Sequence, residues 1–92
     1  MYEPLTDPAA KAAANQYFDD LIALVDPAAA LPQLRPVVED FRFEALNHTG
    51  MQRTQNQLRG FLWGLMVAGA LTTDQMSDMS LRLDRGRDAG WL

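Results

Sequence analysis

Apolar residues recur along this chain at helical spacing in four stretches, separated by short breaks that carry proline, glycine or capping residues. In the first stretch they fall at Ala10, Ala14, Tyr17, Phe18, Leu21, Leu24 and Val25, with Lys11, Asn15, Asp19 and Asp20 elsewhere on the wheel. Asp7 is placed to cap this helix, and Pro8 suits its first position, where a missing N–H costs nothing. The Asp-Pro start recurs at Asp26-Pro27 and predicts a short helical piece over Ala28 to Leu31. Pro32 and Pro36 interrupt continuity, and Arg35, preceding a proline, is biased away from α geometry. The second proper helix is therefore predicted from about Pro36 to Leu46. Its apolar face holds Val37, Val38, Phe41 and Ala45, joined from upstream by Leu34, and Phe43 lies off that face.

The turn Asn47-His48-Thr49-Gly50 precedes the third stretch. Thr49 and Gln52 have the spacing of a capping box, and Gly69 is a natural C-terminal glycine after a helix running to about Ala68. The first half of this helix, Gln52 to Gln57, is polar. The second half, Phe61 to Val67, is apolar on every side, which predicts a helix buried all round, central to the bundle or to an oligomer. Thr72-Thr73-Asp74-Gln75 forms the clearest start signal, a capping box with an acid in the first turn. Met76, Met79 and Leu83 make the inner stripe that follows, and Leu81 lies off it. Gly86 and Gly90 are expected to loosen the chain before an apolar Trp91-Leu92 tail, either docked or free to anchor a partner. The predicted fold is all-α: one domain over residues 1–92, a small bundle of about four helices in which prolines can break one, dimerising through the third.

Composition narrows the chemistry. The chain has no cysteine, which excludes disulfides and thiolate metal sites. The opening Met1-Tyr2-Glu3-Pro4 lacks the basic and apolar regions of a signal peptide, and the charge-free run Phe61–Leu71 is about half of a bilayer span. The expected location is cytoplasmic, with no membrane partner. Arginine far outnumbers lysine, a bias compatible with a GC-rich bacterial or phage genome. Net charge is −4 and uneven: residues 1–46 carry eight carboxylates against three cations, and residues 47–92 carry four against five. An acidic half disfavours non-specific binding to nucleic acid and suits either plain solubility or a basic partner surface.

Three groups of residues are candidates for contact. Asp19, Asp20, Glu39, Asp40 and Glu44 could present an acidic surface to a protein partner. Gly60, Gly64 and Ala68 lie four apart on one helix face, where small residues let another backbone come close. Each helical glycine costs roughly 1 kcal/mol relative to alanine, so this spacing predicts tight packing within the chain or a self-association seam with Trp63 and Val67. Gln52, Arg53, Gln55, Asn56 and Arg59 have the side chains of a base-reading helix, but with few cations nearby to position phosphates. The Arg82, Arg85, Arg87 cluster is interleaved with Asp84 and Asp88 and suits a helix C-terminus.

No catalytic or metal constellation is visible. His48 is the one histidine and lacks co-ligands at suitable spacing, Ser77 and Ser80 have no base beside them, and there is no phosphate-cradling glycine loop. No cofactor is expected. The leading expectation is a non-enzymatic protein-binding module, a regulator or inhibitor. In its most concrete form it is a phage- or plasmid-encoded accessory protein blocking a host nucleic-acid-handling complex in defence. The alternative is a small helical DNA-binding repressor, and a helical enzyme with a site assembled from distant carboxylates comes last.

Overall fold

A computed structural model describes residues 3–92; Met1 and Tyr2, half of the stretch read as lacking a leader, lie outside it. Four α-helices follow one another: α1 (Pro8–Val25), α2 (Leu34–Asn47), α3 (Gln52–Val67) and α4 (Thr73–Ala89). There is no strand among the described residues. Neighbours pack in a closed ring, α1 on α2, α2 on α3, α3 on α4 and α4 on α1, so that α1 and α3 stand on opposite corners. Among the described residues no helix is long and apolar enough to cross a membrane.

The two strongest start signals act as their residue types dictate. The Asp7 carboxylate accepts from the Ala10 amide at 3.0 Å, with Pro8 opening α1. At α4 the Thr72 hydroxyl accepts from the Gln75 amide, and the Gln75 side-chain oxygen accepts from the Thr72 amide. Two orphan donors are thereby satisfied reciprocally. Gly69, at φ 83°, follows the end of α3 in the left-handed conformation that glycine adopts without strain.

Elsewhere the local signals resolve differently. Asp26-Pro27 does not start a helix. The Asp26 carboxylate accepts from the amides of Ala30 and Leu31, at 2.7 and 3.1 Å, and Ala29 adopts φ 52°. A loop closed on one buried carboxylate replaces the predicted piece over Ala28–Leu31. Helix α2 begins at Leu34, so Pro36 sits in its first turn, where an N–H has no intrahelical partner to lose. Thr49 does not cap α3: its hydroxyl donates to the Ala45 carbonyl at 2.6 Å, and Met51 takes the cap position with no side-chain bond. Gly86 does not loosen α4, which continues to Ala89.

One core joins the elements. Helix α1 supplies the most to it, burying Ala10, Ala14, Tyr17, Phe18, Leu21, Ile22 and Val25. Leu24, expected on that stripe, is left exposed and Ile22 takes its place. Helix α3 buries only Thr54, Leu58 and Leu62. Within the chain α3 is therefore not the central helix that its apolar run predicts: α1 is the most enclosed element, and α3 leaves much of its apolar run uncovered. The C-terminal Trp91-Leu92 is docked. The Trp91 ring centroid lies 5.4 Å from that of Tyr17 and 6.4 Å from that of Phe18. The Trp91 amide donates to the Gly86 carbonyl at 2.9 Å, with Gly90 at φ 87° turning the chain back. At the other end, Leu5 is pinned by its amide to the Leu46 carbonyl at 2.7 Å.

Charged clasps cross three of the four helix seams. Arg42 of α2 reaches Asp19 and the Asn15 side chain on α1, at 2.7 and 3.0 Å. Arg82 of α4 reaches Asp20 on α1 at 2.9 Å and lies over the Tyr17 ring. Arg59 of α3 pairs with Asp84 of α4. The α2–α3 seam has no such pair among the described residues. It is held by the Phe41 and Phe61 rings, 5.5 Å apart.

Candidate functional site

The carboxylates expected to form one acidic surface are split by these clasps. Asp19 and Glu39 both pair with Arg42, and Asp20 pairs with Arg82. Opposite charge at such distances offsets most of the field they would present outward, with two guanidinium groups set against three carboxylates. Arg42 is itself largely covered, packs over the Phe18 ring and leaves its Nε buried without a partner, so it serves the interior first. Asp40 and Glu44 are placed differently. One helical turn apart on α2, they border a groove of about 440 Å³ between α2 and α3. Asp40 is exposed and makes no side-chain hydrogen bond or ion pair among the described residues, and Glu44 lies 2.8 Å from His48 Nδ1.

The apolar lining of that groove is all on the α2 side, and the α3 side is polar. Val37, Phe41 and Phe43 line its α2 side, and Arg53, Thr54 and Gln57 line its α3 side. Phe43 is 56% exposed and stands edge-on to the His48 ring. In the sequence Phe43 lies off the core stripe, a position that suits either an exposed side chain or one covering a second contact. The signal was its position one turn from Asp40 and Asn47 on the polar side of α2.

The α3 residues proposed for self-association share one uncovered surface. Gly60, Trp63, Gly64, Val67 and Ala68 are all exposed, Trp63 by 58% and Val67 by 70%. A methyl group built on Gly60 or Gly64 would meet nothing within 4 Å. Tight packing within the chain therefore does not explain these two glycines. Phe61, Leu65 and Met66, from the same apolar run, are half-buried against the core.

The set suited to base reading diverges around α3. Gln52, Arg53 and Asn56 are exposed, whereas Gln55 is half-buried and Arg59 is turned to Asp84 of α4. Arg53 faces Asp40 and Glu44 across the groove, so the one outward arginine of the set sits in a locally acidic setting. The Arg82, Arg85, Arg87 cluster is likewise divided, with Arg82 drawn to Asp20 and Arg87 near Asp88. Among the described residues no three histidine or carboxylate side chains converge as a metal-holding group. The buried Tyr17 hydroxyl donates to the Met79 carbonyl at 3.1 Å. Burial pushes its pKa well above the ordinary tyrosine value, against a smaller lowering by Arg82 and Arg59.

Compared with known protein families, curated proteins and solved structures, the chain matches none.

Proposed function

We propose that this chain is a non-enzymatic protein-binding module, a small regulator or inhibitor that acts by covering a surface of another protein. The uncovered apolar face of α3 carries the reading. A tryptophan 58% exposed and a valine 70% exposed flank two glycines with open space above them, on a helix that has core positions to spare for neither. Tryptophan is prominent among the residues that dominate binding energy at interfaces, and clustered exposed apolar groups mark contact surfaces. The carboxylates left for a basic partner are Asp40 and Glu44, because Asp19, Asp20 and Glu39 are engaged by arginines. A basic groove on a host nucleic-acid-handling complex is the most concrete target of that kind.

Self-association through Gly60, Trp63, Gly64, Val67 and Ala68 would use the same face, and sedimentation velocity separates the two uses. The test of the main reading is an affinity-tag capture from extract of the natural host, with nuclease treatment, repeated with Trp63→Asp. A stoichiometric protein partner that survives nuclease and is lost with Trp63→Asp supports the module. Capture that depends on nucleic acid transfers the weight to the DNA-binding alternative.

A further inference from the structure

The α3 side of the groove between α2 and α3 belongs to the same helix that leaves Gly60, Gly64 and Val67 exposed. Arg53 and Gln57 line it, and Gly60, Gly64 and Val67 continue the same line of residues. Those five positions are spaced four, three, four and three residues apart, and all five are exposed. That spacing is the seam along which one helix lies on another. Its middle is two glycines, so an approaching backbone meets no side chain there. Val37 and Phe43 stand along one edge and Trp63 lies beside the seam on α3, apolar groups able to take large side chains. Asp40 and Glu44 set the charge of the groove, outnumbering Arg53, in a chain of net charge −4.

We infer that this groove and seam seat a single amphipathic helix of a partner protein, with apolar residues on its inward face and lysine or arginine beside them. The inference rests on the protein-binding reading above and names the partner element. Charge complementarity selects a basic segment: its cations meet Asp40 and Glu44 where the groove already carries excess negative charge. A second copy is disfavoured by the same charge, because it brings another net charge of −4 and its own carboxylates to the seam.

Two labelled peptides of equal length test this, an amphipathic leucine–lysine helix and its leucine–glutamate counterpart, titrated by fluorescence anisotropy against the intact chain. The leucine–lysine peptide is expected to bind, and the leucine–glutamate one to bind at least about tenfold more weakly. In ¹⁵N-labelled protein the shifted amides should be those of the groove and seam. Asp40→Lys with Glu44→Lys should reduce affinity for the lysine peptide. Gly64→Leu should abolish it while the thermal midpoint is kept or raised, because the added Cβ meets nothing within 4 Å and leucine favours helix over glycine. Equal binding of both peptides, no binding of the lysine peptide, shifts elsewhere on the bundle, or indifference to Gly64→Leu would each overturn the inference. So would a seam occupied by a second copy in sedimentation velocity. If the peptides fail while capture of a host protein still depends on Trp63, this inference falls and the protein-binding reading stands.

Discussion

Replacing Gly86 with alanine sets two effects of opposite sign against each other. Alanine in a helix interior is favoured over glycine by about 1 kcal/mol. Against that, the new methyl would lie 2.4 Å from two atoms of the Trp91 indole and 2.9 Å from a third, closer than side-chain carbons approach. The indole is rigid, and its backbone is tied to the Gly86 carbonyl at 2.9 Å, so a small adjustment does not relieve the overlap. The ring must leave a site in which it is only 5% exposed, packed on Tyr17 and Phe18. Truncating a buried tryptophan costs about 3–5 kcal/mol, so full expulsion leaves a net loss of about 2–4 kcal/mol after the helix gain. For a domain of this size that lowers the thermal midpoint by roughly 8–32 °C. Circular dichroism reads the midpoint. Tryptophan emission in a Trp63→Phe background should shift to the red as Trp91 becomes wet. The decisive comparison is the double mutant: with Trp91→Ala in place, Gly86→Ala should change sign and stabilise by about 1 kcal/mol, since only the helix preference remains. Gly86→Ala that stabilises the unmodified chain, or leaves Trp91 emission unchanged, would refute the reasoning.

Other consequences are open to direct measurement. Tyr17→Phe should destabilise by about 1 kcal/mol through loss of the bond to the Met79 carbonyl, read by urea unfolding. Because burial raises the Tyr17 pKa in the folded state, its contribution is complete below the ordinary value near 10 and is lost as pH climbs from there towards the raised native value. Stability should therefore fall at alkaline pH, less steeply in Tyr17→Phe, with Tyr2→Phe as background for the phenolate absorbance. Asp26→Ala removes the acceptor of two amides in the α1–α2 loop and should cost about 1–3 kcal/mol, with Asp26→Asn in between. Thr72→Ala should cost about 1 kcal/mol at the α4 cap, and no change in its denaturation midpoint would remove the capping box as a source of stability.

What the amino-acid pattern could predict follows the range of the interactions involved. Asp7-Pro8 and Thr72 to Gln75 act within one turn of themselves, so their chemistry settles the outcome. Asp26-Pro27 repeats the first dipeptide and behaves otherwise, because Pro32 leaves too few residues for a helix and the carboxylate finds loop amides instead. Thr49 could accept from an amide of the helix ahead or donate to a carbonyl of the helix behind, and sequence spacing does not choose between them. Gly86 was illegible for a different reason. Its meaning lies in a ring five residues on that returns through a left-handed turn at Gly90. For the candidate site, the spacing of Gly60 and Gly64 was visible, but not which way they face. The run from Phe61 to Val67 is equally apolar around the wheel, so only the contacts of α2 and α4 decide that Leu62 goes in and Trp63 stays out. The acidic set was likewise legible as residues and not as a surface, since Arg42 and Arg82 reach Asp19 and Asp20 from other helices, and Arg42 also pairs with Glu39 on its own helix.

The unequal clasping of the bundle has a consequence for its response to salt. Arginine–carboxylate pairs hold α1 to α2, α1 to α4 and α3 to α4, whereas two phenylalanine rings hold α2 to α3. Added salt screens the first three contacts and leaves the fourth untouched or strengthened. The three clasped seams thus lose the contribution of their ion pairs as ionic strength rises, and the α2–α3 line loses least. Amide exchange along Val37–Glu44 and Arg53–Val67 would accordingly slow relative to α1 as salt rises, a reordering of rigidity without any change of fold.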